Sequence, residues 1–493
     1  MLQGISGINH ISYIPSKAIL RLFLMMNRRY KPTKEEKDAI DRFEEMLRSG
    51  EHTFMDVQVF EQIIHIYIEN GKMKKALKVC EVAVEQHPYS SDILISYAQL
   101  LVRKGKTEKA TEILDRAEMF NPNDIDVVIL RANILANQNL FEDAINLLEQ
   151  AMPLVEDKDD IYFAMGMTFQ DWGKYDMAIE AYKKSVELNL HHEEALYELA
   201  YCLDLTGMLE QSISYYQKFI DEDPFSYQAW YNLGVVYFKL DQYAQAVDAY
   251  EYAIAINDDF SSAYFNLGNC YLALENYNKA IESFVRTLEL EEASEETCCS
   301  LAICYEKTGN MGKAIEYYRQ ATKINQEYHE AWFGVGRCLD EQDRSFEAIH
   351  FLKKATKLDK ENAIYWFALA NAEYKTGNVV SAIEAYEEAN RLDAYNWEIW
   401  QNWSYVLYEQ GDYEKAIDLI ISAIDELPDQ AELYYIATAY HIADGRYREA
   451  FNYLENGLIL DFEKHTMLFE FFPNQETQKA LFKIIDQYRK DNV

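Results

Sequence analysis

Residues 227–260 read YQAWYNLGVVYFKLDQYAQAVDAYEYAIAINDDF, and residues 261–294 read SSAYFNLGNCYLALENYNKAIESFVRTLELEEAS. The two stretches are each 34 residues long and align without a gap. Both have Leu-Gly at positions 7 and 8, Tyr at positions 11 and 17, and Ala at position 20. Self-similarity at a fixed period of this length predicts tandem repeats of one small supersecondary unit.

The same period continues through most of the chain. Position 20 is small in every repeat: Ala76, Ala110, Ala144, Ala178, Ser212, Ala246, Ala280, Ala314, Ala348, Ala382, Ala416 and Ala450. Position 8 is small in eleven of the twelve repeats, and position 15 is Gly in eight. Small residues at positions 8 and 20 let two helices approach closely, and Gly at position 15 suits the left-handed residue that ends many helices. Each repeat is therefore predicted to be a hairpin of helix A and helix B, with Gly268 facing Ala280 in the seventh.

This pattern resembles the tetratricopeptide repeat (TPR) family, whose unit reads W-x2-L-G-x2-Y, then A-x3-F, then P. The best single copy is Trp230, Leu233, Gly234, Tyr237, Ala246, Tyr250 and Ala253. The resemblance covers about residues 57–464 as twelve tandem repeats of the bacterial type. It implies an all-α fold, a right-handed superhelical solenoid of antiparallel helix pairs in which stacked repeats bury one another's faces.

The segments outside the repeats are predicted to be caps, because the first and last repeats each have one face without a neighbour. Residues 33–56 contain an apolar helical stripe that begins with a capping box formed by Thr33 and Glu36. Residues 465–493 contain further apolar stripes and are predicted to be C-terminal capping helices. Residues 1–32 are an N-terminal segment, either disordered or an extension of the gene model.

Composition limits the kinds of partner. The chain has 493 residues, 49% of them hydrophobic, so it can bury a large core, and its formal net charge is −36. Such an acidic chain repels phosphate backbones and anionic membrane surfaces, so nucleic acid is not an expected partner. The sequence has no run of about 18 apolar residues, which excludes membrane insertion. We expect a cytoplasmic protein, with the periplasm as the alternative.

Catalytic and metal-binding motifs are absent from the sequence. It contains no P-loop, no GxSxG, no HExxH and no CxxC among its seven cysteines. Residues 191–194, His-His-Glu-Glu, form the one dense group of ligand-type side chains, but adjacent side chains at a helix start diverge. The sequence therefore predicts no enzyme activity, no metal and no cofactor.

The resemblance also implies a binding surface, because the family presents helix A positions 2, 5, 6, 9, 12 and 13 to an inner groove. In the sixth and seventh repeats these positions contain no acid, although the chain is strongly acidic. Amide side chains donate to and accept from a peptide backbone, and aromatic rings supply apolar area at low entropic cost. The candidate peptide- or protein-binding residues are Tyr197, Tyr201, Tyr231, Asn232, Lys239, Phe265, Asn266, Asn269, Phe333, Arg337, Phe367 and Asn371.

The predicted function is a non-catalytic scaffold or adaptor that binds a peptide or protein segment in this groove. The alternative is a regulatory or substrate-targeting subunit of a separate enzyme complex. The repeat pattern specifies neither the partner nor the oligomeric state.

Overall fold

Helices account for all the regular secondary structure that the computed structural model describes, in residues 33–49, 53–121, 124–155, 158–472 and 475–492. The predicted N-terminal segment, residues 1–32, lies outside the described residues. The chain divides into two compact units between Ala263 and Tyr264. We refer to them as the N-terminal unit and the C-terminal unit and describe each by itself.

The N-terminal unit contains thirteen complete helices within its described residues. They are α1 (Lys34–Ser49), α2 (Val57–Glu69), α3 (Met73–Gln86), α4 (Ser91–Arg103), α5 (Thr107–Phe120), α6 (Ile125–Asn137), α7 (Phe141–Ala151), α8 (Asp159–Asp171), α9 (Tyr175–Leu188), α10 (Glu193–Leu205), α11 (Gln211–Glu222), α12 (Tyr227–Lys239) and α13 (Tyr243–Ile256). A short 3-10 helix, Met152–Leu154, follows α7. The boundary between the two units falls within α14 (Ser261–Ala273).

In the C-terminal unit, helix A and helix B of successive repeats also alternate along the chain. Its further helices are α15 (Tyr277–Leu290), α16 (Glu295–Lys307), α17 (Met311–Ile324), α18 (His329–Glu341), α19 (Ser345–Leu358), α20 (Ala363–Lys375), α21 (Val379–Leu392), α22 (Trp397–Glu409), α23 (Tyr413–Glu426), α24 (Ala431–Ala443), α25 (Tyr447–Leu460), α26 (Met467–Phe471) and α27 (Gln475–Asn492). Even-numbered helices from α2 to α24 are the A helices, and odd-numbered helices from α3 to α25 are the B helices. Helices α18 and α19 pack as one hairpin, and α19 packs in turn on α20. The predicted all-α fold of antiparallel helix pairs is confirmed.

The turn between helix A and helix B has the predicted left-handed residue in all twelve repeats. The eight glycines at position 15 have φ between 67° and 83°. The other four residues have the same conformation, with φ of 62° at Asn139, 57° at Asp241, 57° at Glu275 and 59° at Asp343. Positive φ at this position ends helix A and reverses the chain, so the turn geometry is conserved within the molecule even where glycine is replaced.

In three repeats the glycine at position 8 lies against a ring of helix B, whereas Gly336 lies against Leu352. A Cβ atom at Gly166, Gly234 or Gly268 would lie 2.5–2.7 Å from the nearest ring atom of Tyr182, Tyr250 or Phe284, respectively. The nearest neighbour of Gly268 across its hairpin is therefore Phe284, one turn beyond the expected Ala280. Because residues four apart share a helix face, the small Ala280 and the large Phe284 lie on the same side of α15. Ala280 is fully buried there.

Helix α1 covers the first repeat. The predicted capping box is confirmed, since the Thr33 amide donates to Glu36 Oε2 at 2.7 Å and the Glu36 amide donates to Thr33 Oγ1 at 3.3 Å. The ring of Phe43 then packs edge-on against Phe60 of α2, with 6.2 Å between the ring centroids. At the other end, Leu468 of α26 is fully buried in the core formed with α24 and α25.

Candidate functional site

The A helices of the C-terminal unit form one continuous wall. Helix α18 contacts α16 and α20, and α22 contacts α20 and α24, in addition to the B helices that lie between them. The surface of these helices at positions 2, 5, 6, 9, 12 and 13, which the family resemblance assigns to an inner groove, is called the A-helix face below. By contrast, the acidic residues at position 22 of the B helices are exposed on the other side of the hairpins, as at Glu282, Glu316 and Glu384.

A cleft of about 360 Å³ opens on the A-helix face of the ninth to eleventh repeats. It is lined by Asp340, Asn371, Tyr374, Lys375, Tyr386, Asn402 and Tyr405. Six of these residues project from the successive A helices α18, α20 and α22, and Tyr386 reaches in from the B helix α21. The lining combines amides, phenol rings and one ion pair.

Two asparagines in the cleft form a linked pair. The Tyr386 hydroxyl donates to Asn371 Oδ1 at 2.6 Å, and Asn402 Nδ2 donates to the same oxygen at 3.2 Å. Asn371 Nδ2 and Asn402 Oδ1 have no hydrogen-bond partner within the described residues. The pair is therefore held in place by internal bonds while it offers one donor and one acceptor, the two groups that a peptide unit requires.

Tyrosine rings form the apolar part of the cleft. The rings of Tyr374 and Tyr405 lie nearly perpendicular, with 6.5 Å between their centroids. Burial, with a hydrogen bond to Glu409 at 3.0 Å, raises the pKa of Tyr405 to about 12. Burial also raises the pKa of Tyr374. Both phenols are therefore neutral around neutral pH and present uncharged aromatic surface.

Three cations of the A helices have internal acidic partners. Lys375 donates to Asp340 at 2.8 Å across successive A helices. In the N-terminal unit, Lys239 donates in the same way to Asp204, also 35 residues upstream. Arg337 donates to Glu306 at 2.7 Å. A partner carboxylate would have to compete with these acids.

Comparison with known proteins establishes the family. Models of the tetratricopeptide repeat match residues 67–134, 159–192, 194–226, 227–260, 259–327, 300–356 and 347–396. The chain belongs to the tetratricopeptide repeat family. TPR proteins are protein–protein interaction scaffolds that bind peptide or protein partners. No curated protein sequence matches this TPR chain significantly.

The chain is similar to parts of several solved structures. YrrB, described as a TPR protein with an unusual peptide-binding site, is 20% identical, covers 38% of this chain and 96% of its own, and has a TM-score of 0.35. MamA is 29% identical over 34% of this chain and 97% of its own, with a TM-score of 0.31. A tetratricopeptide repeat protein from Parabacteroides merdae ATCC 43184 is 16% identical over 51% of this chain and 99% of its own, with a TM-score of 0.39.

Four of the five predicted residues of the N-terminal TPR unit lie half-buried on its A helices, and the fifth, Lys239, is exposed. Tyr197, Tyr201, Tyr231 and Asn232 all have this intermediate exposure. The Tyr231 ring contacts Tyr250 and Phe260, with centroids 5.7 and 4.9 Å away. One side of Tyr231 therefore belongs to the core, and only the remainder is available to a partner.

The predicted aromatic residues of the C-terminal TPR unit also pack against core rings. Phe265 lies 5.8 Å from Phe284, Phe333 lies 4.6 Å from Tyr365, and Phe367 lies 6.1 Å from Tyr386, all between centroids. Asn266 and Asn269 are half-buried on α14. Arg337 lies over the Phe333 ring, 5.4 Å from its centroid. Of the predicted residues, only Asn371 lines the cleft.

The candidate residues predicted from the sequence do not include Asn402 and Tyr405. They occupy positions 6 and 9 of the eleventh TPR, the same positions as Asn266 and Asn269 in the seventh. Applying the positional rule to the eleventh repeat would have found them. Tyr386 lies at a core position of helix B, and no sequence signal indicates that its hydroxyl reaches Asn371.

The ligand-type residues between the fourth and fifth TPRs have a structural role. His192 precedes α10, and its Nδ1 accepts from the Ala195 amide at 3.3 Å. Within the described residues, no group of three His, Cys, Asp or Glu side chains could hold a metal ion. Among the described helices, none is long and apolar enough to cross a bilayer.

Proposed function

We propose that this TPR protein is a non-catalytic scaffold that binds a peptide or protein segment on its A-helix face, at the cleft of the ninth to eleventh repeats. The observation that carries the proposal is the Asn371–Asn402 pair. Its two free groups match the carbonyl and amide of a peptide unit, and Tyr386 holds Asn371 in place without using its donor. A donor that is already oriented loses less entropy when a partner binds.

The tyrosines supply the apolar part of the proposed contact. Tyr374 and Tyr405 are rigid and partly exposed, so covering them removes aromatic area from water at a small entropic cost. Lys375 already has Asp340 as its partner, so the cleft favours a segment recognised through its backbone and apolar side chains over an acidic one. On the N-terminal unit, we propose Tyr197, Tyr201, Tyr231 and Asn232 as a separate contact region of the same kind.

The first experiment maps the surface that partners contact. A photo-crosslinking phenylalanine analogue replaces Tyr374 in the cleft or, as control, Phe346 on the B helix α19, which is 78% exposed. We expect crosslinks to a defined partner in native cells from position 374 and none to that partner from position 346. A partner that is itself a catalytic polypeptide would assign this chain as a regulatory or substrate-targeting subunit.

The second experiment tests the asparagine pair with the partner so identified. Asn371→Asp keeps the oxygen that accepts from Tyr386 and Asn402 but removes the free donor. We expect binding to weaken by ~1–3 kcal/mol in a calorimetric titration. Asn456→Asp, on the exposed side of α25, makes the same chemical change and should leave binding unaltered. Equal affinities of the two variants and the unmodified chain would refute the cleft as the binding site.

A further inference from the structure

The segment that follows the last repeat lies on the A-helix face. Helix α26 packs against α24, and its last residue, Phe471, contacts three tyrosines of the eleventh and twelfth repeats. The centroid of the Phe471 ring lies 6.5 Å from Tyr405, 6.2 Å from Tyr408 and 5.9 Å from Tyr440. The interplanar angles of 67°, 89° and 84° give the edge-to-face arrangement that aromatic pairs prefer.

Tyr405 connects this aromatic cluster to the cleft. It lines the cleft beside Asn402 and also contacts Phe471. A segment bound at Asn371 and Asn402 that continued along the wall towards the twelfth repeat would therefore meet Phe471. The cleft and the Phe471 position are neighbouring parts of one surface, and one of them is already filled by the chain itself.

We propose, building on the proposed function, that Tyr405, Tyr408 and Tyr440 form a subsite for an aromatic side chain. Phe471 is its internal occupant, and a partner segment carrying Phe, Tyr or Trp displaces it. The partner then binds through its backbone at the asparagine pair and through its ring at the three tyrosines.

The way the segment is attached permits this exchange. Leu468 is fully buried and anchors α26, whereas Phe471 and Phe472 are only half-buried. Helix α26 has five residues, too few for a helix that is stable without tertiary contacts. Gln478 Nε2 ties the following helix to the Phe469 carbonyl at 3.1 Å. The Phe471 ring can therefore leave the tyrosines while Leu468 on one side, and Leu481 and Ile485 of α27 on the other, stay in the core.

The covalent attachment of Phe471 to the same chain also makes the subsite selective. An internal occupant acts at an effective concentration in the millimolar range for a short connection, so a free aromatic side chain alone competes poorly. A segment that also binds the asparagine pair gains the additional affinity that displacement of Phe471 requires. Occupancy by Phe471 thus excludes partners that carry only one of the two features.

The test uses a fluorescein-labelled peptide with the sequence of residues 469–478, FEFFPNQETQ, and the full-length chain. We expect Phe471→Ala, which vacates the subsite, to bind this peptide at least tenfold more tightly than the unmodified chain in fluorescence anisotropy. Phe471→Leu, which keeps apolar bulk without a ring, should give an intermediate gain. Phe482→Ala, an exposed phenylalanine of α27, is the control and should bind like the unmodified chain.

The peptide itself provides a second control. Replacing the phenylalanine that corresponds to Phe471 by alanine should abolish its binding to the Phe471→Ala chain. Equal affinity of the unmodified and Phe471→Ala chains for the peptide, or no binding to either, would overturn the proposal. Because the probe does not need the Asn371 donor, Asn371→Asp in the Phe471→Ala chain should leave peptide binding unchanged, so this test fails or succeeds independently of the proposed function.

Discussion

Gly268 on α14 lies directly against the ring of Phe284 on α15, so closely that a Cβ atom at Gly268 would stand 2.7 Å from Cε1 of Phe284. Gly234 has the same relationship to Tyr250, and Gly166 has it to Tyr182. Contact between the backbone of helix A and a ring of helix B therefore sets the separation of the two helices in each of these hairpins. The ring occupies the space that a side chain at the glycine position would fill.

Gly268→Ala is expected to destabilise the seventh repeat. The added methyl overlaps the buried Phe284 ring, which cannot move without disturbing the core, and overpacking of this kind costs ~1–3 kcal/mol. Because repeats stack on their nearest neighbours, amide hydrogen exchange should accelerate first within residues 261–294. Acceleration of equal size along the whole chain would contradict this local effect.

Gly312→Ala is the matched control and is expected to increase the stability of the protein. Gly312 lies in α17, and the nearest atom to a Cβ there is Asn310 Oδ1 at 3.9 Å, an ordinary contact distance. Alanine has a higher helix propensity than glycine, by up to about 1 kcal/mol. Urea unfolding should therefore show a stabilised Gly312→Ala protein and a destabilised Gly268→Ala protein.

Glu275→Gly is expected to stabilise the protein by ~0.5–1 kcal/mol. Glu275 is exposed, and its φ of 57° places a residue with a Cβ in the left-handed region, which glycine adopts without steric cost. Glu275→Ala removes the same carboxylate but keeps the Cβ atom. If the two variants were equally stable in urea, the charge and not the backbone conformation would be responsible.

His441 is expected to make the last repeat less stable in mild acid. Its ring is buried and stacks on Tyr453 with 5.1 Å between centroids, and neither ring nitrogen has a hydrogen-bond partner within the described residues. Burial, followed by the charge of Arg446, lowers the pKa of His441. Below the ordinary histidine value of about 6.5, the unfolded chain binds a proton that the folded chain resists. Stability therefore falls as the pH decreases from about 6.5 through the folded pKa.

The substitution His441→Phe tests this dependence. It preserves the stacked ring and removes two unsatisfied nitrogens, so we expect a gain of ~1 kcal/mol near neutral pH. The variant should also lose the additional opening of residues 431–460 in mild acid, measured by amide hydrogen exchange corrected for its intrinsic pH dependence. If hydrogen exchange of residues 431–460 increased from neutral pH to mild acid by the same amount in His441→Phe as in the unmodified chain, another group would be responsible.

The cysteines are expected to resist thiol reagents in the native protein. All seven are free and buried, and burial raises the pKa of Cys298 to about 11 and those of Cys80, Cys270, Cys304 and Cys338 to about 12. Because the thiolate is the reactive form, an aromatic disulfide reagent at about pH 8 should release little chromophore until guanidinium chloride is added. Prompt reaction of the native protein would show that these thiols are accessible.

The 34-residue period of the sequence was sufficient to predict the helix pairs and their turns, because both depend on local features. A left-handed residue at position 15 and small residues at positions 8 and 20 recur every 34 residues, and each of them acts within one hairpin. The resemblance to the family then indicates which helix A positions share a surface. It therefore located Asn371, and it would have located Asn402 and Tyr405 if applied to the eleventh repeat.

Sequence by itself thus determined the repeat and the all-α fold, since hydrophobic spacing and turn chemistry are readable within 34 residues, and the family resemblance supplied the positions of the A-helix face. Tertiary structure alone decided which side chains on that face are available to a binding partner. Lys239 and Lys375 each lie opposite an aspartate 35 residues upstream, Asn371 is held by a hydroxyl from the B helix, and Phe471 fills the space between three tyrosines. These contacts join different helices, and their geometry depends on how the helices pack rather than on any local pattern.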